Sequence, residues 1–169
     1  KVAVTDANVL LTGENGTGKE VVAREIHRLS PRGQEIMVGL DMGAISESLF
    51  DSELFGHMKG SFTDAKEDRA GKFETANKGT LFLDEIGNIT VGLQAKILAA
   101  LQNRKVTRIG SNNPIPIDIR LISATNRNLV KMIAEGQFRE DLLYRINTIT
   151  IEIPPLRERG SDVLLLASY

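Results

Sequence analysis

Gly13-Glu14-Asn15-Gly16-Thr17-Gly18-Lys19 sets a glycine, four residues and then Gly18-Lys19. Glycines at this spacing let the backbone curl until several N–H groups point at one anion, and the lysine adds a mobile point charge. The chemistry is the holding of a polyphosphate. Much later an apolar run, Thr80-Leu81-Phe82-Leu83, ends in Asp84-Glu85. The first carboxylate suits a magnesium ion carried by a triphosphate, and the second can orient or deprotonate an attacking water. Asn126 follows another apolar run and can hydrogen-bond a terminal phosphate or a water, although an asparagine opening a loop is equally ordinary. Arg139 and Arg145 stand six positions apart. Helix faces repeat at three, four and seven, so the pair lies on neighbouring faces. They read either as surface partners of Glu140 and Asp141 or as arginines projecting into a neighbouring subunit's nucleotide, where such a group contributes roughly 10³–10⁵ in rate. Spacing leaves both open.

These residues need a scaffold to bring them together. Val9-Leu10-Leu11 reads as a buried strand, and Val21, Val22, Ile26 and Leu29 recur at helical spacing after Lys19. Strand, glycine loop and helix in that order make the loop a phosphate-binding one, with the helix dipole adding to the site. Glu20 departs from the general pattern, which has Ser or Thr there to hold magnesium. Ser30-Pro31-Arg32-Gly33 ends the helix. Ile36-Met37-Val38-Gly39-Leu40 is a second strand closing on Asp41, and Ser46 can cap a helix with Leu49, Phe50, Leu54 and Phe55 as its apolar face. Residues 56–71 form a loop or hairpin with one exposed candidate, Phe62. Residues 80–83 form the third strand. Thr90 can cap a helix carrying Leu93, Ile97, Leu98 and Leu101. Residues 104–116 read as an irregular insertion and 117–125 as a fourth strand. A short helix over 129–135 follows, then one carrying Arg139, Leu142, Leu143 and Arg145. Ile149, Ile151 and Ile153 alternate on a fifth strand stopped by Pro154-Pro155. Strands alternating with helices imply an α/β fold, a parallel five-stranded sheet with helices on both faces. Ligands then bind at the carboxyl ends of the strands, where the loop, Asp84-Glu85 and Asn126 all fall.

Composition bounds the rest. The 169 residues suffice for one domain, and 41% apolar with 25% charged residues is ordinary for a globular chain. A net charge of −1 gives no global basic field for nucleic acid. The absence of cysteine excludes disulfides and thiolate metal sites and fits a reducing, cytoplasmic setting. No apolar run approaches a membrane span, and no signal peptide is evident. Nothing around His27 or His57 suggests metal ligation. The chain opens on Lys1, close before the phosphate loop, and stops within Val163-Leu164-Leu165-Leu166, so a piece of a longer protein is expected.

Glu53-Leu54-Phe55-Gly56-His57 followed by Lys59-Gly60-Ser61-Phe62-Thr63-Asp64-Ala65 resembles the ELFGH…GAFTGA stretch of sigma-54-dependent transcriptional activators, whose central domain is an AAA+ ATPase. GENGTGKE at 13–20, GTLFLDEI at 79–86, RLISATN at 120–126, FREDLLYR at 138–145 and PPLRER at 154–159 agree. The resemblance covers essentially the whole chain. It implies a P-loop NTPase of AAA+ type that uses ATP and Mg²⁺, and it makes Glu20 usual. It implies that Asp84 and Glu85 are the magnesium and water-activating carboxylates, Asn126 the sensor, and Arg139 and Arg145 trans-acting arginines in a ring, a hexamer. It also implies that the loop 60–65, with Phe62 and Thr63 at its tip, touches sigma-54 RNA polymerase.

Three positions depart from the family pattern, two of them in the loop. The loop has Ser61 for Ala and Asp64 for Gly, which adds a charge and removes a flexible residue. Asp41 falls where many members have an Asn that couples the Walker B glutamate to the loop, and an Asp there would repel Glu85 or share a proton with it. The helical lid with its second sensor arginine is expected beyond Tyr169, and DNA binding is expected only through a domain outside this chain. Two other readings stay open: an AAA+ ATPase acting on a different client, and a nucleotide-sensing module that assembles with ATP but barely hydrolyses it.

Overall fold

A computed structural model describes residues 1–160, so the apolar segment 163–166 lies outside the described residues. In chain order the elements are β1 (Val9–Thr12), α1 (Lys19–Arg28), β2 (Met37–Asp41), α2 (Glu47–Phe55), β3 (Gly56–His57), β4 (Arg69–Ala70), α3 (Lys72–Thr75) and β5 (Thr80–Asp84). A 3-10 turn (Ile86–Asn88) then leads into α4 (Val91–Asn103), β6 (Lys105–Val106), β7 (Ile115–Pro116), β8 (Arg120–Thr125), α5 (Leu129–Ala134), α6 (Glu140–Ile146) and β9 (Ile149–Glu152). A second 3-10 turn (Leu156–Glu158) follows.

The main sheet has five strands in the order β2-β5-β8-β1-β9, and every pairing is parallel. Its central strands are apolar without alternation because both faces are covered, and all of β8 is buried. Side chains alternate between the faces. Leu10, Leu40, Leu81, Leu83 and Leu121 pack with residues of α2 to α6. Val9, Leu11, Phe82, Ile122 and Ala124 pack with Ala23 and Ile26 of α1. Helices thus lie on both faces, but among the described residues α1 is the only helix in the second core.

Local outcomes differ from the sequence reading at several points. Val21 and Leu29 of the expected apolar face are exposed, at 70% and 51%, because α1 turns Ala23 and Ile26 to the sheet instead. Ser46 occupies the N-cap position of α2, but its hydroxyl meets Ser48 Oγ rather than a helix N–H. Thr90 does cap α4, accepting from Leu93 N. The fourth strand starts at Arg120 rather than at 117. Ile117 N donates to Arg104 O and Asp118 N to Asn77 Oδ1, which draws this segment off the ladder. Residues 104–116 are not wholly irregular: β6 and β7 pair antiparallel. The 56–71 stretch is a hairpin, β3 with β4. Arg139 precedes α6 as its N-cap residue instead of lying within it.

Candidate functional site at the carboxyl edge of the sheet

The phosphate-type loop joins β1 to α1. Gly18 caps α1 in the left-handed region, at φ 86°. At Gly13 a Cβ would lie 2.6 Å from Ile153 O, so only glycine lets the loop cross the end of β9 this closely. Thr17 ties the loop to itself through Glu14 O at 2.8 Å. Lys19 is only 7% exposed, and its ammonium is folded into the loop, donating to Gly13 O at 3.2 Å and Glu14 O at 3.1 Å. Glu20 points away to Arg24.

β5 runs beside β2 with Asp84 in register with Asp41, which brings two carboxylates to neighbouring strand ends. Asp84 Oδ1 accepts Glu85 N at 2.9 Å, and among the described residues no donor meets the other oxygen. Glu85 has φ 54° and ψ 41°, a left-handed conformation that costs a non-glycine residue roughly 1–3 kcal/mol and persists only where its surroundings over-determine it. Burial pushes the Asp84 carboxyl above the usual range, against the Glu85 N–H and Lys19, with Asp41 adding to the rise. Burial likewise raises Glu85; Lys19 opposes this, and the charges of Asp84 and Asp41 reinforce it. Asp41 Oδ1 accepts Gly43 N at 2.8 Å. A Cβ on Gly43 would lie 3.2 Å from that oxygen, 3.4 Å from Asn88 Nδ2 and 3.7 Å from Glu85 Cγ, so Asp41 and Glu85 border one small space. Asn126, at the end of β8, donates from Nδ2 to Asn15 Oδ1 at 2.7 Å and so reaches the loop across 111 residues of sequence.

Beside the loop lies a cleft of about 870 Å³, lined among others by Gly13, Glu14, Asn126, Leu129, Pro155 and Arg157. That volume is in the range of sites for small organic ligands. Arg157 closes a bidentate pair on Glu14 at 2.8 and 2.6 Å, and Arg159 donates to Thr17 O at 2.6 Å. Both sit in PPLRER, a segment to which the sequence reading gave no role. Neither Arg139 nor Arg145 lines this cleft. Arg139 grips Asp141 at 2.9 and 2.6 Å, whereas Arg145 has no acidic partner among the described residues and donates to Leu101 O at 2.7 Å.

The hairpin loop is distant chemistry. Phe62 is 39% exposed and sets its ring edge-on to buried His57, centroids 4.9 Å apart, so it is partly folded back. His57 is held by Ser52 Oγ at 2.8 Å. Thr63 and Asp64 are exposed. Ala65 belongs to the base rather than the tip: it is buried, and its carbonyl accepts Gly60 N at 2.8 Å. Ser61 packs over Gly110 of the β6–β7 loop, where a Cβ would come within 2.7 Å of Ser61 Cβ.

A glycine loop cradling a buried lysine between strand and helix, with acidic strand ends beside it, defines the P-loop NTPase class. A P-loop NTPase domain of a sigma-54 activator from Escherichia coli superposes on 91% of this chain and 87% of its own, with TM-score 0.59 and 21% identity, and so shares the fold. The chain belongs to the sigma-54 interaction domain family, whose model matches residues 1–152. It is 51% identical over 168 residues to the anaerobic nitric oxide reductase transcription regulator NorR of Escherichia coli, covering 99% of this chain and 33% of NorR. NtrX from Brucella abortus is 37% identical with TM-score 0.93, over 99% of this chain and 37% of NtrX. NtrX solved with ADP gives 36% identity and TM-score 0.90, over 99% and 36%. The chain thus spans about a third of the length of these relatives.

Proposed function

We propose that this chain is the ATP-hydrolysing AAA+ module of a sigma-54-dependent regulator, which assembles as a ring, a hexamer, and remodels sigma-54 RNA polymerase so that promoter DNA opens. The observation that carries this is the convergence of segments far apart in sequence — the 13–20 loop, Asp84-Glu85 and Asn126 — around one buried lysine at one sheet edge. The capture of ATP and ADP by the structurally similar NtrX supports a nucleotide in the cleft.

In this reading the loop N–H groups and Lys19 would hold the phosphates, and Asp84 would hold Mg²⁺. Among the described residues no three acidic, histidine or cysteine side chains are arranged so that they could hold a metal ion by themselves. That fits an ion held by one carboxylate and by the triphosphate itself, as magnesium commonly is. The ion supplies neutralisation of charge on the phosphate oxygens when bound. Glu85 accepts the proton of the attacking water. Its raised affinity for protons brings the base closer to working pH. Asn126 fixes the water or the terminal phosphate. Arg139 and Arg145, lying off their own cleft, serve the nucleotide of the next subunit. Asp41 couples the Glu85 carboxylate to the hairpin loop.

Loop 60–65 contacts sigma-54, with Phe62 and Thr63 as the contact residues. A half-exposed phenylalanine resting on one histidine can leave for a partner's pocket at small cost. Such a client places the protein in the cytoplasm; DNA binding belongs to a domain outside this chain. None of the described helices is long and apolar enough to cross a membrane. The exposed charge of Asp64 favours one second reading, an AAA+ ATPase with an altered client. The deciding experiment takes the intact protein with ADP and a metal-fluoride transition-state mimic and measures capture of sigma-54, with Thr63→Ala as control. Capture lost in the mutant supports the reading. Hydrolysis without capture selects the altered client.

A further inference from the structure

The sequence gives no hint of a role for Gln94, which sits amid the apolar face of α4 and is fully buried, at 0% exposure. Its Nε2 donates to Ile89 O at 3.0 Å and to Gln137 O at 2.9 Å, and its Oε1 accepts Arg139 N at 2.8 Å. Both amide donors are used, and so is one acceptor position. The partners come from two places. Ile89 directly follows the 3-10 turn that starts from strained Glu85. Gln137 and Arg139 form the connection into α6, and the N–H that Gln94 receives belongs to the residue carrying the Arg139 side chain. A single side chain therefore joins the turn that follows Glu85 to the backbone of Arg139.

The second arginine ends on the same helix. Arg145 donates to Leu101 O, one of the last-turn carbonyls of α4 that lack an intrahelical partner. Helix α4 has 13 residues, about 20 Å of rigid rod at 1.5 Å per residue. One end of it follows Glu85, and both arginines are attached along its length. α4 and α6 also make the most extensive helix–helix contact among the described elements.

We propose that Gln94 is a positioning residue that locks the Arg139 segment to the turn following Glu85, so that the state of a subunit's own nucleotide site sets the arginine it offers to its neighbour. This rests on the reading of Arg139 as acting in trans. A purely structural glutamine would satisfy the same three backbone groups, and its loss would weaken the fold without regard to Arg139. The two accounts separate in a double-mutant cycle on the intact protein, with ATP turnover at saturating substrate and affinity for a fluorescent ADP analogue as readouts.

Gln94→Ala is expected to lower kcat at least about tenfold, since an ångström-scale misplacement of a reacting group costs on the order of 10² in rate. ADP-analogue affinity should stay within about twofold, because no bond of Gln94 reaches the 13–20 loop. In an Arg139→Ala background the same substitution should cost less than about twofold further. Gln94→Glu keeps the acceptor for Arg139 N–H. Its turnover should lie between that of the unsubstituted protein and that of Gln94→Ala, and the ratio to the unsubstituted protein at the same pH should rise as pH falls, because a protonated acid regains one donor. If Gln94→Ala does not fold, Gln94→Glu carries the same cycle. Equal fold-losses in the two backgrounds, or a loss confined to ADP affinity, overturn the proposal. Wild-type turnover in Arg139→Ala alone identifies a different failure, that of the trans-arginine reading, and the proposal falls with it.

Discussion

The carboxyl edge of the sheet and the β3–β4 hairpin are held by different amounts of structure. At the edge, Lys19 is buried in its own loop, Asp84 ends a ladder-bonded strand, and Asn126 reaches Asn15 from a strand that is buried throughout. The hairpin stands on strands of two residues each, and its tip residues 62–64 are exposed. Its hold on the body includes Gly56 and Met58 bonding Ile109, Ser61 over Gly110, and the contacts of His57 with Ser52 and of Arg69 with Glu53 of α2. Under the proposed function, atoms that would have to meet within tenths of an ångström sit on strand ends, whereas the segment that would change place for a partner stands on short strands with an exposed tip.

The largest expected effect lies at the rigid edge. Glu85→Gln should lower ATP turnover by roughly 10²–10⁴, the usual contribution of a general base, while binding of a fluorescent ADP analogue persists. Loss of binding along with turnover would mean that Glu85 supports the loop rather than the water. The mirror-image test is Thr63→Ala, which should abolish capture of sigma-54 in the transition-state complex and leave turnover within about twofold. A hydrolysis defect of the same size as the capture defect would erase the distinction between the two regions. His57→Ala removes the ring under Phe62 and orphans Ser52 Oγ. It should cost about 1–3 kcal/mol in denaturant unfolding and speed proteolytic cleavage within 57–68, with ADP affinity unchanged. Unchanged cleavage would show that the loop is not held by this contact.

The smallest effect concerns pH. Glu85 is raised in the folded, nucleotide-free protein, chiefly by burial and further by Asp84 and Asp41. If Glu85 is the base, as proposed, its ionised form is the active one, and kcat/KM should fall as pH drops through this raised value, earlier than for an ordinary glutamate. For stability the sign is the reverse of the usual carboxylate case: the folded state holds this proton more tightly than the unfolded chain. The corresponding stabilisation is present below the unfolded value and lost as pH rises through the folded one. Asp41→Asn removes one of the charges that raise Glu85 and should move the acid limb of kcat/KM to lower pH. It should also alter nucleotide-dependent capture of sigma-54. An unmoved limb together with unchanged capture would remove Asp41 from the coupling.

Much of this molecule is legible along the chain because the signals are local. The glycine spacing before Lys19, the apolar run ending in Asp84-Glu85 and the Thr90 cap each depend on neighbours a few positions away. The five parallel strands follow from runs too apolar to face water. The resemblance carried by ELFGH, GSFT and the flanking motifs supplied the roles that spacing leaves open. Other features were not visible in this way. The start of β8 was displaced by bonds from Arg104 and Asn77. Arg120 falls inside the expected fourth strand with no role read for it, yet it is fully buried with its guanidinium donating to Val2 O, Ala3 O and Ala7 O.

The sequence by itself determined the class of fold, the phosphate loop and the edge to which the acidic residues belong, since backbone permissiveness and hydrophobic burial are written in residue type and period. Only the tertiary structure decided that Asn126 meets Asn15, that Asp41 and Glu85 border one space, that Arg157 and Arg159 clamp the loop, and that Gln94 joins the Glu85 turn to Arg139. Each is a polar contact between residues remote in sequence. A polar side chain carries no period that announces its partner, and whether it is satisfied depends on which backbone groups the packing leaves exposed to it.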